Sequence, residues 1–104
     1  MVFIYTTCKD MEEAKRLGKL IIDKKMAACV DFWPVESMYM WEGKMTDASQ
    51  IMMMITTFES KLQDVDDLIS QNHSYSVPLI AGVDVRRISR PYKEWMNEQI
   101  QTMK

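Results

Sequence analysis

Apolar positions cluster or alternate in four stretches of this chain, separated by two segments with helical spacing. Val2-Phe-Ile-Tyr-Thr-Thr7 is β-branched and aromatic throughout and predicts a first strand. Asp10 has the character of an N-cap, with Glu12 and Glu13 in the first turn and Glu13 at the capping-box position. Ala14, Leu17, and Leu20 or Ile21, with Lys24 and Lys25 near the end, predict an amphipathic helix over 11–26. Ala28-Cys-Val-Asp-Phe-Trp33 reads as a second strand, interrupted at Pro34 and resumed over 37–41. Proline removes a ladder donor, so a bulge or an edge is expected there. Gly43 supplies the positive φ of a tight reversal, after which 44–57 is a long partner strand.

Ser60 with Gln63 opens a second predicted helix, whose apolar stripe is Leu62, Val65, Leu68 and Ile69. His73-Ser-Tyr75-Ser-Val-Pro78 is a loop and 79–85 a fourth strand. Pro91 fits the first turn of a last helix running through Met103. The order β-α-β-β-α-β with an additional C-terminal helix is an α+β, ferredoxin-like sandwich, one domain over 1–104. Helices cover one face of such a sheet, yet Ile51-Met-Met-Met-Ile55 is apolar toward both faces, as is the first strand. A second subunit over the open face is therefore expected.

Composition narrows the classes of function. A formal charge of -2 leaves no basic footprint for nucleic acid. No apolar run approaches the roughly 20 residues of a membrane span. Strand-like residues from Val2 onward, without a charged leader, give a cytoplasmic expectation. Cys8 and Cys29 are expected as free thiols, and no zinc-finger spacing occurs. The three glycines are scattered and form no phosphate loop. One histidine does not define a catalytic triad, so no catalytic residue, enzyme activity or organic cofactor is expected. Asp64, Asp66 and Asp67 read as a solvated helix face.

Soft-metal chemistry is the remaining candidate, since the chain holds eleven methionines, two cysteines and one histidine. Met52, Met53 and Met54 face alternate ways along a strand and cannot converge on one ion. Met38 and Met40 share a face, although methionine also fills gaps in cores. Cys29 reads as a buried hydrophobe or as a thiol needing a lowered pKa, and Cys8, before a helix N-terminus, as a possible thiolate. His73 reads as an accessible loop imidazole or as the anchor of its loop.

Four segments, in this order, resemble the CutA family of divalent-cation tolerance proteins. They are Tyr5-Thr6-Thr7, Ala27-Ala-Cys29-Val30, Tyr39-Met-Trp41-Glu-Gly43-Lys44 and the loop from His73 to Pro78. The similarity runs from Val2 to about Trp95. It implies a homotrimer with three sheets packed at the centre, and a non-catalytic protein binding divalent metal ions, Cu(2+) first among them, at intersubunit clefts. The residues it suggests are Cys29 and His73 for the metal, with Tyr39, Trp41, Lys44 and Tyr75 lining the cleft.

Departures from the family pattern bear on that site. Ser74 stands where the family usually has proline. The positions of a copper-binding cysteine and two histidines proposed in some bacterial relatives are here Thr6, Asn72 and His73. A glutamate and a lysine expected to face the cleft are Gln50 and Thr56. The rival expectations are a small-molecule-binding signalling trimer resembling the PII regulators, and a trimeric scaffold for another protein.

Overall fold

The computed structural model describes residues 1–100. It contains β1 (Val2–Cys8), α1 (Met11–Asp23), β2 (Cys29–Trp41), β3 (Lys44–Thr57), α2 (Leu62–Asn72), β4 (Ala81–Asp84) and α3 (Arg90–Gln99). The strands form one sheet in the order β2-β3-β1-β4, with every neighbouring pair antiparallel. This is the ferredoxin-like α+β architecture, with α1 and α2 on one face. Among the described residues no helix is long and apolar enough to cross a membrane. The predicted extension of the last helix through Met103 lies outside the described residues.

Side chains alternate along β1. Val2, Ile4, Thr6 and Cys8 point into the core against α1 and α2, where Leu17, Ile21, Val65 and Ile69 are fully buried. Their β3 partners Ile51, Met53 and Ile55 point the same way. Met52 and Met54 therefore lie on the open face, half-buried, while Met53 is a core residue. The last helix covers part of that open face. Its Tyr92 hydroxyl reaches the Cys29 thiol, Thr56 beside Cys29 is buried, and Met96 and Ile100 are fully buried outside the main core. The expectation that a lone chain has nothing to cover this face is corrected to that extent. Trp33, Tyr39 and Trp41 remain exposed along the rest of it.

Several boundaries differ from expectation for identifiable reasons. Helix α1 stops at Asp23 rather than 26 because Lys25 takes the left-handed conformation, φ 58°. The Lys25 amide then bonds Ile22 O and the Met26 amide bonds Ile21 O, the pattern of a Schellman cap. No bulge forms at Pro34. The register with β3 runs unbroken from Cys29↔Thr56 to Trp41↔Lys44, and β2 is an edge strand on which a missing donor can face outward. The Ser60/Gln63 capping box is not made; a 3-10 turn at Glu59–Lys61 leads into α2 without a side-chain cap. The fourth strand is shorter than expected, four residues against the predicted seven: its pairing with β1 stops at Tyr5↔Ala81, and further along β1 the Thr7 carbonyl is taken by His73. On α2, Asp67 and Asp66 accept bonds from Gln63 and Ser70, as suits a solvated face.

The β2–β3 hairpin turns on Glu42 and Gly43, both at positive φ (50° and 80°), as the reversal of a two-residue hairpin requires. Its tip runs beyond β1, whose register on β3 ends at Ile51. The molecule is accordingly elongated, 47 × 26 × 20 Å.

Candidate functional site

Where β1 ends and α1 begins, one carboxylate holds three segments together. Asp10 caps α1 by accepting a bond from the Glu13 amide at 2.8 Å. That contact turns the Glu13 side chain back toward the strand end, where Oε1 accepts from the Lys9 amide at 3.1 Å. Its other oxygen accepts from the Ser74 amide at 2.7 Å, sixty-one residues away in sequence. Glu13 is buried, with Arg16 Nη2 3.8 Å from Oε2. Burial works to raise its pKa, but the bonds from the Lys9 amide and from Ser74 outweigh this and hold it below its ordinary 4.5.

His73 completes this knot. Its side chain is wholly buried; Nδ1 accepts the Tyr75 amide proton at 3.0 Å and Nε2 donates to Thr7 O at 2.8 Å. These partners fix the neutral Nε2–H tautomer. Of the two roles open to His73 from the sequence, the structure shows the loop anchor. Arg16 adds to the same junction by donating to Asn72 O at 3.0 Å, at the C-terminus of α2. Asn72 itself bonds Leu68 O.

Cys8 lies beside the knot. The sequence allowed it thiolate character; the structure reverses this. Burial first, then the Glu13 charge, pushes its pKa up to about 12, and Sγ donates to Met53 Sδ at 3.4 Å. Still, ligand atoms of Cys8, Glu13 and His73 all lie within 4.8 Å of one another. Thr6 is buried nearby on the same strand face, its Oγ1 without a hydrogen-bond partner.

Across the sheet from this knot a cleft of about 510 Å³ opens on the open face. Tyr39 and Trp41 of β2, Gln50 of β3, and Tyr75, Val77 and Leu79 of the loop form its walls. Tyr75 donates to Gln50 Oε1 at 2.9 Å, and its ring lies 5.0 Å from that of His73. Burial first, then the neighbouring Tyr39, raises the Tyr75 pKa, so the phenol enters the cleft as a neutral donor. The walls carry no charged side chain; Trp41, Val77, Leu79 and the two tyrosine rings are apolar surface, and Thr7, Gln50, Ser74, Ser76 and the tyrosine hydroxyls are the polar groups.

Three of the four cleft residues expected from the sequence, Tyr39, Trp41 and Tyr75, thus meet in one cavity. Lys44 pairs with Trp41 at the hairpin turn and does not line it. Gln50 contributes to the wall, whereas Thr56 is six residues further along β3, roughly 20 Å away. Within the chain Cys29 and His73 are not brought together. Cys29 pairs with Thr56, while His73 bonds the residue opposite Met52, roughly 13 Å away along the strand direction. The lowered pKa that a reactive Cys29 would need is also not present. Burial, then Asp31, raises it against the opposing Tyr92 bond. Both cysteines are free thiols, as expected.

Sequence reasoning missed Glu13 as a site residue, because a Glu three positions after a capping Asp already has a sufficient local role. The lead lay in its position next to Cys8, at the mouth of the first strand.

The same chain can now be set beside known proteins. The family model described as CutA1 divalent ion tolerance protein matches residues 2–99. The divalent-cation tolerance protein CutA of Archaeoglobus fulgidus is 35% identical over 99 residues, 95% of this chain and 97% of that protein. Human protein CutA is 30% identical over 95 residues, 90% of this chain and 53% of that protein. Among solved structures, the periplasmic divalent cation tolerance protein CutA from Archaeoglobus fulgidus aligns with a TM-score of 0.94 at 35% identity, covering 97% of this chain and all of that one. CutA1 from Pyrococcus horikoshii aligns with a TM-score of 0.95 at 28% identity over 98% of this chain and all of that one. With the family pattern matched from the first strand to the last helix, this chain belongs to the CutA1 divalent ion tolerance family.

Proposed function

We propose that this protein is a non-catalytic homotrimer that serves divalent-cation tolerance by binding metal ions, copper first. The observation that carries the reading is the convergence of the Cys8, Glu13 and His73 ligand atoms within 4.8 Å, with Met53 Sδ against the thiol. Thiol, imidazole, carboxylate and thioether together suit a borderline-to-soft ion. The trimer is supported by the exposed Trp33, Tyr39 and Trp41 on the open sheet face, and its number by the family resemblance.

Binding has a defined cost in this geometry. The Cys8 proton must leave a thiol whose pKa is about 12, so uptake releases a proton and strengthens as pH rises. His73 must give up the Tyr75 amide or Thr7 O. If it gives up the Tyr75 amide, the loop that walls the cleft is released. An ion in the knot would then be reported in the cleft, which gives a binding trimer something to signal.

Native mass spectra of the reduced protein, titrated with copper against a competing chelator, test this. The expected result is a trimer that retains copper, with retention lost in Cys8→Ser and in His73→Gln. A trimer that surrenders all its copper overturns the metal reading, and a monomer overturns the assembly. A second reading, a small-molecule signalling trimer resembling the PII regulators, is favoured by the neutral aromatic walls of the cleft. Its mark is protection of the 74–77 amides from hydrogen exchange by a metabolite and not by copper.

A further inference from the structure

A groove runs between the two helices on the side of the sheet opposite the cleft. Helices α1 and α2 are antiparallel there, with Arg16 reaching Asn72 O at one end and Lys24 facing the first turn of α2 at the other. The cavity between them measures about 420 Å³. Leu20, Met26 and Leu68 form an apolar floor, each belonging to the core or packed against it. Met26 is brought back beneath the groove by the left-handed cap at Lys25, and its carbonyl accepts from the Thr57 hydroxyl at 2.6 Å. Lys24 stands on the α1 wall; Asp64 and Asp67, three residues apart on one helix face, stand on the α2 wall. Cation and carboxylates share the cavity, yet no ion pair among the described residues joins them. Gln63 engages only one oxygen of Asp67. The subunits are proposed to meet on the other face of the sheet, so access to this groove does not rest on the chain standing alone.

From this chemistry we infer that the groove binds a free α-amino acid with an apolar side chain. Lys24 takes its carboxylate, Asp64 and Asp67 its ammonium, and Leu20, Met26 and Leu68 its side chain. Simpler ligands fit less well. A plain anion such as phosphate meets two carboxylates, and a polyamine meets Lys24. A purely apolar ligand strips water from three charges and returns no partner to them. A zwitterion satisfies both signs at once, through charge-assisted hydrogen bonds, the strong kind. The backbone beside Lys24 offers no substitute for its side chain, since the amides of Lys24, Lys25 and Met26 already bond carbonyls of α1. The volume lies toward the small end of the range for small-molecule sites, as suits a single amino acid. The site is separate from the Cys8–His73 knot and from the cleft, and it stands independently of the divalent-ion reading.

The test uses the whole assembled protein, with L-leucine and L-methionine as probes, read by calorimetry and by methyl NMR signals. Either amino acid is expected to shift the methyl signals of Leu20, Met26 and Leu68. Isoamylamine is leucine without its carboxylate, and N-acetyl-leucine lacks the ammonium. Each is expected to bind about tenfold more weakly than leucine, or worse, for want of one charge-assisted contact. Lys24→Met keeps the apolar stem and should lose the preference for leucine over isoamylamine. The double variant Asp64→Asn, Asp67→Asn should lose the preference over N-acetyl-leucine. Unmoved methyl signals at millimolar leucine and methionine overturn the inference, as does either analogue binding as tightly as leucine. Shifts confined to Val77 and Leu79 also overturn it and assign the ligand to the cleft. Should a variant fail to assemble, the two analogues on the wild-type protein decide.

Discussion

Glu13 sits in the first turn of a helix, where a carboxylate is ordinarily solvated, yet its side chain is only 3% exposed. Two backbone amides, from Lys9 and Ser74, compensate for that burial and hold its pKa below 4.5. A carboxylate whose pKa is lowered on folding contributes stability above its unfolded value, and that stability is lost as pH falls through the folded value. Replacing Glu13 by Gln leaves one amide without an acceptor and should cost about 1.5–3 kcal/mol at neutral pH. Urea unfolding of both proteins across pH should show the gap narrowing below pH 4.5, as the wild-type carboxyl takes up its proton. A gap that stays constant with pH would mean that shape, and not charge, is what Glu13 supplies. The residue also marks a limit of reading by pattern. Asp10 and Glu13 were legible as a helix start, but the bond to Ser74 joins segments that only the folded chain makes neighbours.

The elements differ in how plainly their ends were written. The boundaries of β3, Lys44–Thr57, were readable to the residue, because Gly43 fixes the turn and Phe58 ends the β-branched run. The end of α1 was not, since the left-handed cap falls on Lys25, where glycine would have announced it. The register through Pro34 was hidden for another reason: whether proline breaks a strand depends on which side of the sheet it ends up. The Lys25 cap makes a direct prediction. A β-carbon at φ 58° is strained by about 1–2 kcal/mol, part of which the greater freedom of unfolded glycine offsets. Lys25→Gly should therefore stabilise the protein by roughly 0.5–1 kcal/mol, read as a higher urea midpoint at unchanged slope. No gain would show that the lysine side chain compensates the strain through contacts of its own.

At the scale of the whole molecule the shape itself is informative. A compact chain of this length would have a radius of gyration of about 13 Å, whereas this one measures 14.5 Å, the difference lying in the projecting arm. An arm with Tyr39, Trp41 and three methionines exposed is poorly suited to standing alone, and it adds to the open sheet face from which a second subunit was expected on sequence. The site was less legible than the fold because it is assembled across distances. Tyr39, Trp41 and Tyr75 could be named from their motifs, but Gln50 as the partner of Tyr75 required the folded register. Pro34 has a consequence at this scale as well. Strand β2 is thirteen residues long and has a neighbour on one side only, so in the lone chain it offers a growing fibril a ready template. Proline near its middle interrupts that template without disturbing the inner ladder. Refolding Pro34→Thr from denaturant should therefore give more thioflavin-positive precipitate than the wild type, most of all at high protein concentration. If the two refold with equal yield, the edge is protected by something else. Otherwise this proline is what keeps a newly made chain from being added to a fibril edge by edge.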